Sequence, residues 1–442
     1  MENNKKSAVE TTTLHPVSLE EKRSLWSIAF IWMGSAICVP ALMVGGLIGM
    51  GLPFGEALLA MIFGFGLVVV YMCLIGTQGA DLGVPTVVSF SRAFGERGSS
   101  FAVGLVIAIC GIGWFAYQCA ICGGSFVQIL AQFTGLNMPL WISIAIWGVA
   151  MLLTAVFGIK IIDMLNKIAV PALLIMLVYG LIHALTQKGA ADYIANYQPA
   201  QPITFIAAST FAVSGFAVGA VLSCDYTRYC KSRKDTVLSS FLGIFPASIL
   251  VLSIGAILAV TAGNFDLTII FSSMGLPVIG LLCLILATWT TNCGNAYSGG
   301  IAIVGIFKLK DDKRALATVV AGGIGIILAI IGVIDYFTSF LSFISVLVPP
   351  MAGVVVADYW IKGKGNKEAW KPFKGVNWLG ILSWAGGTAF GIAFQIFIPT
   401  INSIIVAMIL YLILVTIVKS EKLNPFCASD YTANSERGDK NG

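Results

Sequence analysis

The densest polar stretch inside any apolar run of the 442-residue chain is Thr288-Trp289-Thr290-Thr291-Asn292-Cys293-Gly294-Asn295-Ala296-Tyr297-Ser298. Threonine hydroxyls and asparagine amides supply oxygen ligands and hydrogen bonds without placing a charge in lipid. An interhelical hydrogen bond in a membrane is worth only about 0.6 kcal/mol, so packing alone calls for fewer polar groups than this one segment carries. The stretch therefore reads as a site. A second cluster is Gly111-Ile112-Gly113-Trp114-Phe115-Ala116-Tyr117-Gln118. Tryptophan in a membrane protein is most often an interfacial anchor, which fits Trp26, Trp141, Trp360 and Trp378. Trp114 instead falls near the middle of its run beside Gly113, where an indole makes a platform for a planar ligand, and Phe216, set between Gly215 and Gly219, can supply the opposite face.

Equally informative is what the apolar runs lack. No Asp, Glu, Lys, Arg or His lies in the middle third of any of them, and His183 sits at the end of one. Proton relays and charged cargoes usually require a buried carboxylate, histidine or counter-charge. The expected cargo is neutral, and a coupled cation held by carbonyl and hydroxyl oxygens, such as Na⁺, suits the inventory better than a proton. Cys119 and Cys122 form a C-x-x-C, but without a second Cys/His pair in the spans they read as small packing residues, not as metal or redox ligands. No cofactor is expected.

These residues need elements to position them. With 58% hydrophobic and 11% charged residues, against about 25% charged in an ordinary soluble domain, the chain is expected to be an all-α polytopic membrane protein. Each charge costs about 2.5–3.5 kcal/mol at the centre of a membrane helix, so charge-free runs mark the spans. Two runs are long enough for two helices of about 20 residues and are split by Thr134-Gly135-Leu136-Asn137-Met138-Pro139 and by Pro399-Thr400-Ile401-Asn402. Twelve spans result: 25–49, 55–77, 99–131, 140–159, 168–185, 202–224, 236–262, 277–307, 315–334, 337–356, 375–397 and 401–418. With the N-terminus inside, 25 of the 26 lysines and arginines fall on the cytoplasmic side, leaving only Lys188 outside. This bias predicts that both termini are cytoplasmic in a multi-pass plasma-membrane protein, and it makes the net charge of +5 an orientation signal, not a nucleic-acid footprint. Residues 1–24 and 419–442 read as polar tails, the first not a cleaved signal peptide. The lipid bilayer and a small molecule are the expected partners, with no obligate protein partner evident.

Spans one to five (25–187) and six to ten (202–357) can be laid side by side, with 375–418 left over. The first span of each half is interrupted, by Gly34-Ser35-Ala36-Ile37-Cys38-Val39-Pro40 and by Ser214-Gly215-Phe216-Ala217-Val218-Gly219. The third span of each half is its longest. Because five is odd, the second half enters from the opposite side, the signature of an inverted repeat whose discontinuous helices frame a mid-membrane site.

The same residues carry a family resemblance. Gly113-Trp114-Phe115, Phe157-Gly158-Ile159 leading to Val170-Pro171-Ala172, Asp225-Tyr226-Thr227-Arg228-Tyr229, Trp289-Thr290-Thr291-Asn292 with Asn295-Ala296, and Pro349-Pro350 with Ala357-Asp358-Tyr359, in this order, resemble the cytosine permease and purine–cytosine permease branch of the nucleobase:cation symporter family 1. The resemblance implies the leucine-transporter fold, two inverted five-helix repeats plus two further helices, and symport of a nucleobase-like compound, commonly with Na⁺. It further implies that Trp114 and Phe216 sandwich the base and that Asn292 is a hydrogen-bonding amide. Gly34 and Cys38, through their carbonyls, with Thr290 and Thr291, match the cation site. The chain departs from the cytosine permease pattern at Gly111, where a Gln stands, at Gly215 and Val218, where small serines flank the Phe, and at Ala287, where an Asn stands. The first two departures remove hydrogen bonds to a cytosine ring edge, and the third removes one candidate cation ligand. Gln118, one turn from Trp114, replaces the missing Gln only if the ligand sits deeper.

The resulting expectation is a secondary active importer in which a neutral heterocycle stacks between Trp114 and Phe216, its edge read by Asn292 and the backbone near Gly215 and Gly219, with Na⁺ between spans one and eight. Cargoes such as hydroxymethylpyrimidine, hydantoin or allantoin, and proton coupling, stay open. A channel would need a continuous polar pore, and a membrane enzyme would need mid-span acids, a nucleophile with its base, or metal ligands. Gly83-Val84-Pro85-Thr86-Val87-Val88-Ser89-Phe90-Ser91-Arg92, with Asp225 and Arg228, either forms an inner gate or merely follows the charge bias.

Overall fold

The computed structural model describes residues 16–157, 159–273, 277–394 and 397–427, so residues 1–15 and 428–442 of the expected tails lie outside the described residues. Fifteen helices carry the architecture: α1 (Leu25–Ala36), α2 (Val39–Gly51), α3 (Phe54–Leu82), α4 (Glu96–Thr134), α5 (Leu140–Phe157), α6 (Ile159–Thr186), α7 (Phe205–Val221), α8 (Arg233–Ala262), α9 (Leu267–Ser273), α10 (Pro277–Phe307), α11 (Arg314–Ile330), α12 (Phe337–Leu347), α13 (Pro349–Val356), α14 (Trp378–Ala393) and α15 (Pro399–Ile417). Among the described residues, seven helical stretches are long and apolar enough to cross a membrane singly, one of them the run Val333–Lys362 that holds α12 and α13, and α1 with α2 makes an eighth as a pair bent by 60°. Four shorter apolar helices, Leu140–Val156, Phe205–Val221, Arg314–Ile330 and Trp378–Ala393, stand where the remaining expected spans fall.

The packing repeats between the two halves. α2 of the first span lies along α8 of the seventh, and α7 of the sixth lies along α3 of the second. Exchanging the five-span halves turns one of these pairs into the other. α4 packs most extensively on α10, a third-to-eighth pairing that maps onto itself. Such close approaches need small residues, because lipid offers no hydrophobic drive to press helices together. A Cβ on Gly45 would overlap the backbone of Leu252, and one on Gly255 the backbone of Leu42. At the matching contact, a Cβ on Gly64 would stand 2.5 Å from the Ser209 carbonyl oxygen and 2.7 Å from Ala212.

The expected interruptions fare differently. The first span breaks as read: Ile37 (φ −89°, ψ 86°) and Cys38 (φ −147°, ψ 159°) are extended, and Pro40 opens α2. Pro40 has no N–H to give and sits in the first turn of α2, where no intrahelical donor is needed; it fits the restart of the helix, while α8 runs on through its own Pro246. The expected break at Ser214–Gly219 is corrected: α7 continues through both glycines to Val221, and the chain turns only at Leu222 and Ser223 before the short helix Cys224–Thr227. Glycine costs a helix only about 1 kcal/mol, less than an unpaired backbone group in lipid, so glycines without a proline do not break this span.

Candidate transport site

Two adjoining cavities occupy the middle of the bundle. The first, about 220 Å³, is walled by Cys110, Gly111 and Trp114 of α4, Ser214, Gly215, Phe216 and Gly219 of α7, and Asn295 and Ser298 of α10. The second, about 660 Å³, is walled by Gly34, Ser35, Ile37 and Cys38 at the α1–α2 break, by Ala287, Thr290, Thr291, Gly294, Asn295 and Ser298 of α10, and by Ala169, Leu173 and Tyr226. Asn295 and Ser298 belong to both and stand where the two meet.

The aromatic walls are held by neighbouring rings and by missing side chains. The Trp114 indole is edge-packed by Phe340 (5.3 Å between centroids) and Phe337 (6.1 Å), both from α12. Gly113 makes room for Phe340, whose ring a Cβ there would overlap. Phe216 folds over Gly219, where a Cβ would stand 2.7 Å from the ring, and its edge meets Trp32 at 6.1 Å. The Ser214 hydroxyl lies 2.8 Å from the Thr210 carbonyl oxygen and 2.5 Å from that of Leu341, joining α7 to α12. Gly111 lets α4 come close to α10 at the wall: a Cβ there would stand 3.1 Å from the Asn295 carbonyl oxygen.

On α10 the cavity face follows the helical period, and this relocates one expected residue. Ala287, Thr291, Gly294, Asn295 and Ser298 recur at intervals of three and four. Asn292 lies off that face and is fully buried. Its Nδ2 donates to the Phe115 carbonyl (3.0 Å) and contacts the sulfurs of Cys119 (3.3 Å) and Met151 (3.2 Å). Its Oδ1 accepts from Asn295 Nδ2 at 3.4 Å. Asn292 is thus placed to position Asn295, the amide that reaches the cavity. Gln118 lies on the wall of neither cavity; it is 1% exposed, and its Nε2 and Oε1 have no hydrogen-bond partner among the described residues.

All four residues matched to the cation site, Gly34, Cys38, Thr290 and Thr291, line the larger cavity. The hydroxyls of Thr290 and Thr291 donate to the Ala287 carbonyl (3.1 and 2.8 Å), which leaves their oxygens as acceptors. The Cys38 carbonyl already accepts from Leu42 N–H at 3.4 Å as α2 begins. The carbonyls of Gly34 and its neighbours end α1, where the helical ladder supplies no further amide. Among the described residues, no charged group lines either wall.

The loop at Gly83–Arg92 is tied down differently from the expected Asp225/Arg228/Arg92 group. Asp225 Oδ1 accepts from the backbone N–H of Thr86 (2.8 Å) at the start of the short helix Thr86–Ser89. Burial pushes its carboxyl above the usual range, opposed by the Thr86 hydrogen bonds and by Arg228. Arg228 Nε donates to the Asp225 carbonyl (3.2 Å) and Nη2 to the Tyr229 hydroxyl (3.0 Å). Arg92 is not paired with Asp225: its Nε donates to Asp358 Oδ2 at 2.8 Å, with the side chains only 2% and 1% exposed. Tyr411 OH donates to Asp358 Oδ1 (2.7 Å), and Asn377 Nδ2 donates to the Arg92 carbonyl (3.1 Å). This buried knot escapes a reading of local patterns because Arg92 lies 266 positions before Asp358 and Tyr411 sits in an otherwise apolar run.

A helical bundle of two packed-alike halves, a broken first span and an uncharged mid-bundle cavity defines a multi-pass membrane transporter of the leucine-transporter type. The model of the family described as permeases for cytosine/purines, uracil, thiamine and allantoin matches residues 16–415, and the chain belongs to that family. Cytosine permease of Escherichia coli (strain K12) is 28% identical over 400 residues, covering 90% of this chain and 93% of the relative. Hydantoin permease of Microbacterium maritypicum is 25% identical, covering 81% and 79%. Among solved structures, the inward-facing conformation of Mhp1 superposes with a TM-score of 0.81 at 22% identity, covering 95% of this chain and 96% of that one. Mhp1, a nucleobase-cation-symport-1 family transporter, in a closed conformation with bromovinylhydantoin bound, gives 0.75 at 21% identity, covering 97% and 100%. Family and relatives are permeases, not enzymes.

Proposed function

We propose that the chain imports a neutral planar nucleobase or related heterocycle by cation symport. The observation that carries this reading is that Trp114 and Phe216 wall one small, uncharged cavity that adjoins an oxygen-lined one. A flat ring entering between the two aromatics would bury both faces, while Asn295 and Ser298 offer donors and acceptors to its edge; the backbone at Gly215 and Gly219, helical within α7, adds only the spare lone pair of a carbonyl. Asn292 acts through Asn295. The unpaired amide of Gln118, one turn along α4, would be satisfied by a ligand reaching past Trp114. The presence of hydantoin and allantoin permeases among the relatives, and the loss of side-chain donors at Gly111 and Gly215, favour keeping hydantoin-like cargoes beside cytosine and purines.

Na⁺ is the proposed coupling ion. The carbonyl of Gly34 and its α1-end neighbours, with the hydroxyls of Thr290 and Thr291, form an uncharged set of hard oxygens, the kind that broken membrane helices present to such an ion. Ala287 contributes no side-chain oxygen, but its carbonyl orients both hydroxyls. Because one face of α10 serves both cavities, cation and substrate would each raise the other's affinity by the same factor. On this reading both termini are cytoplasmic, which the bias of 25 of 26 lysines and arginines to one side supports.

Substrate-induced quenching of tryptophan fluorescence in the purified protein tests the sandwich. Trp114→Phe should retain binding and Phe216→Ala should weaken it about tenfold or more; unchanged affinity in Phe216→Ala and Trp114→Ala, read by a radioligand, would remove the sandwich.

A further inference from the structure

A groove separate from the transport cavities opens on the side of the bundle between α3 and α8. It holds about 460 Å³, with Cys73 and Leu74 of α3 forming one wall, Val237 and Leu238 of α8 the other, and Arg233, Lys234 and Trp360 at its basic end. Val237 is 43% exposed, and the apolar strip continues along α8 to Phe241, 45% exposed and stacked on Phe245 at 5.3 Å. In a membrane protein such a strip faces acyl chains. Its basic end is built. Arg233 Nε and Nη2 bond Asp81, Nη2 also bonds the Gly365 carbonyl at 2.9 Å, and the guanidinium lies 5.2 Å from the centroid of the Trp360 ring. Trp360 Nε1 donates to the Leu74 carbonyl (3.0 Å), fixing an interfacial indole at the mouth. Asp81 is spent on Arg233 and on Tyr359 OH (2.7 Å), and the Arg233 side chain remains 50% exposed. Lys234, exposed on the same turn, has no ion-pair partner among the described residues. Asp235, the other acid nearby, follows it on the first turn of α8.

We propose that this groove binds one anionic glycerophospholipid, its phosphate held by Lys234 and the exposed part of Arg233 and an acyl chain laid along Val237 and Phe241. The apolar strip explains why the occupant is a lipid, and the cations at one end explain why it is an acidic one. The site does not depend on which molecule is transported. A lipid there would bridge α3 and α8, helices of the second and seventh spans, and so would stabilise one arrangement of the two halves.

The test uses the delipidated full-length protein in detergent, titrated separately with phosphatidylglycerol, phosphatidylcholine and inorganic phosphate, and read by native mass spectrometry and thermal unfolding. One phosphatidylglycerol should stay bound and raise Tm, while phosphatidylcholine and phosphate do neither. Lys234→Glu should weaken phosphatidylglycerol binding about tenfold or more, Val237→Trp should weaken it by filling the groove without a change of charge, and Lys419→Glu, elsewhere on the basic face, should leave it unchanged. Equal binding of phosphatidylcholine, an equal Tm shift with phosphate alone, an equal loss in Lys419→Glu, or full binding in Val237→Trp would each overturn the proposal.

Discussion

At the scale of single residues, the site follows from a simple contrast between aromatic and polar groups in lipid. Trp114 and Phe216 could be picked from the sequence because each interrupts the expected placement of its type: an indole away from the interface and a ring between glycines. The amide was harder to choose. Asn292 and Asn295 lie three positions apart, close in composition but on different faces of α10, and which of them meets the cavity depends on the orientation of the helix against α4. The helical period through Ala287, Thr291, Gly294 and Ser298 was the available signal. Two substitutions separate the roles. Asn295→Ala should weaken substrate binding with little change in Tm. Asn292→Ala should remove the amide that ties α10 to the Phe115 carbonyl, which keeps its helical donor in α4, and lower stability by about 0.5–1.5 kcal/mol, seen as a lower Tm; the reverse pattern would show that Asn292 is the reader.

At the scale of elements, a proline and a glycine in a membrane helix carry different weight. Pro40 marks where α2 restarts after the extended Ile37 and Cys38, whereas Pro246 lies inside α8 without ending it. Gly215 and Gly219 only permit close approach, so α7 runs on and gives its free surface to the cavity and to the Phe216 ring. The glycines that join α2 to α8 do a third thing, bringing backbones together. Gly255→Leu should therefore push α2 away from α8 and lower the yield of monodisperse protein in detergent sharply, whereas Gly263→Asn, at a left-handed helix end with nothing near its Cβ position, should be tolerated. Size-exclusion profiles of the two variants distinguish them.

At the scale of the whole molecule, the positions of the charges delimited the spans, while the long-range ties stayed invisible until the chain was folded. Arg92 and Asp358 look like ordinary loop charges in the sequence, yet they meet in a nearly dry knot with Tyr411 and Asn377 that fastens the loop after α3 to the end of the tenth span and to α15. Removing one member leaves the other buried and unpaired. Arg92→Ala should cost about 3–5 kcal/mol, and a double replacement, Arg92→Met with Asp358→Leu, should recover much of the loss because a paired apolar substitute avoids that desolvation. Thermal unfolding of the single and double variants checks this, and no recovery in the double variant would mean the knot has a role beyond its own pairing.

The proposed activity is transport of a neutral heterocycle driven by a cation gradient. It is tested most directly by uptake into proteoliposomes of labelled cytosine, purines, hydroxymethylpyrimidine, hydantoin and allantoin, with an inward Na⁺ gradient or with K⁺ in its place. Saturable accumulation of at least one of these compounds above its external concentration is expected, present with Na⁺ and lost with K⁺. Uptake of none of them, or equilibration that stops at the external concentration and is the same in both salts, would contradict it.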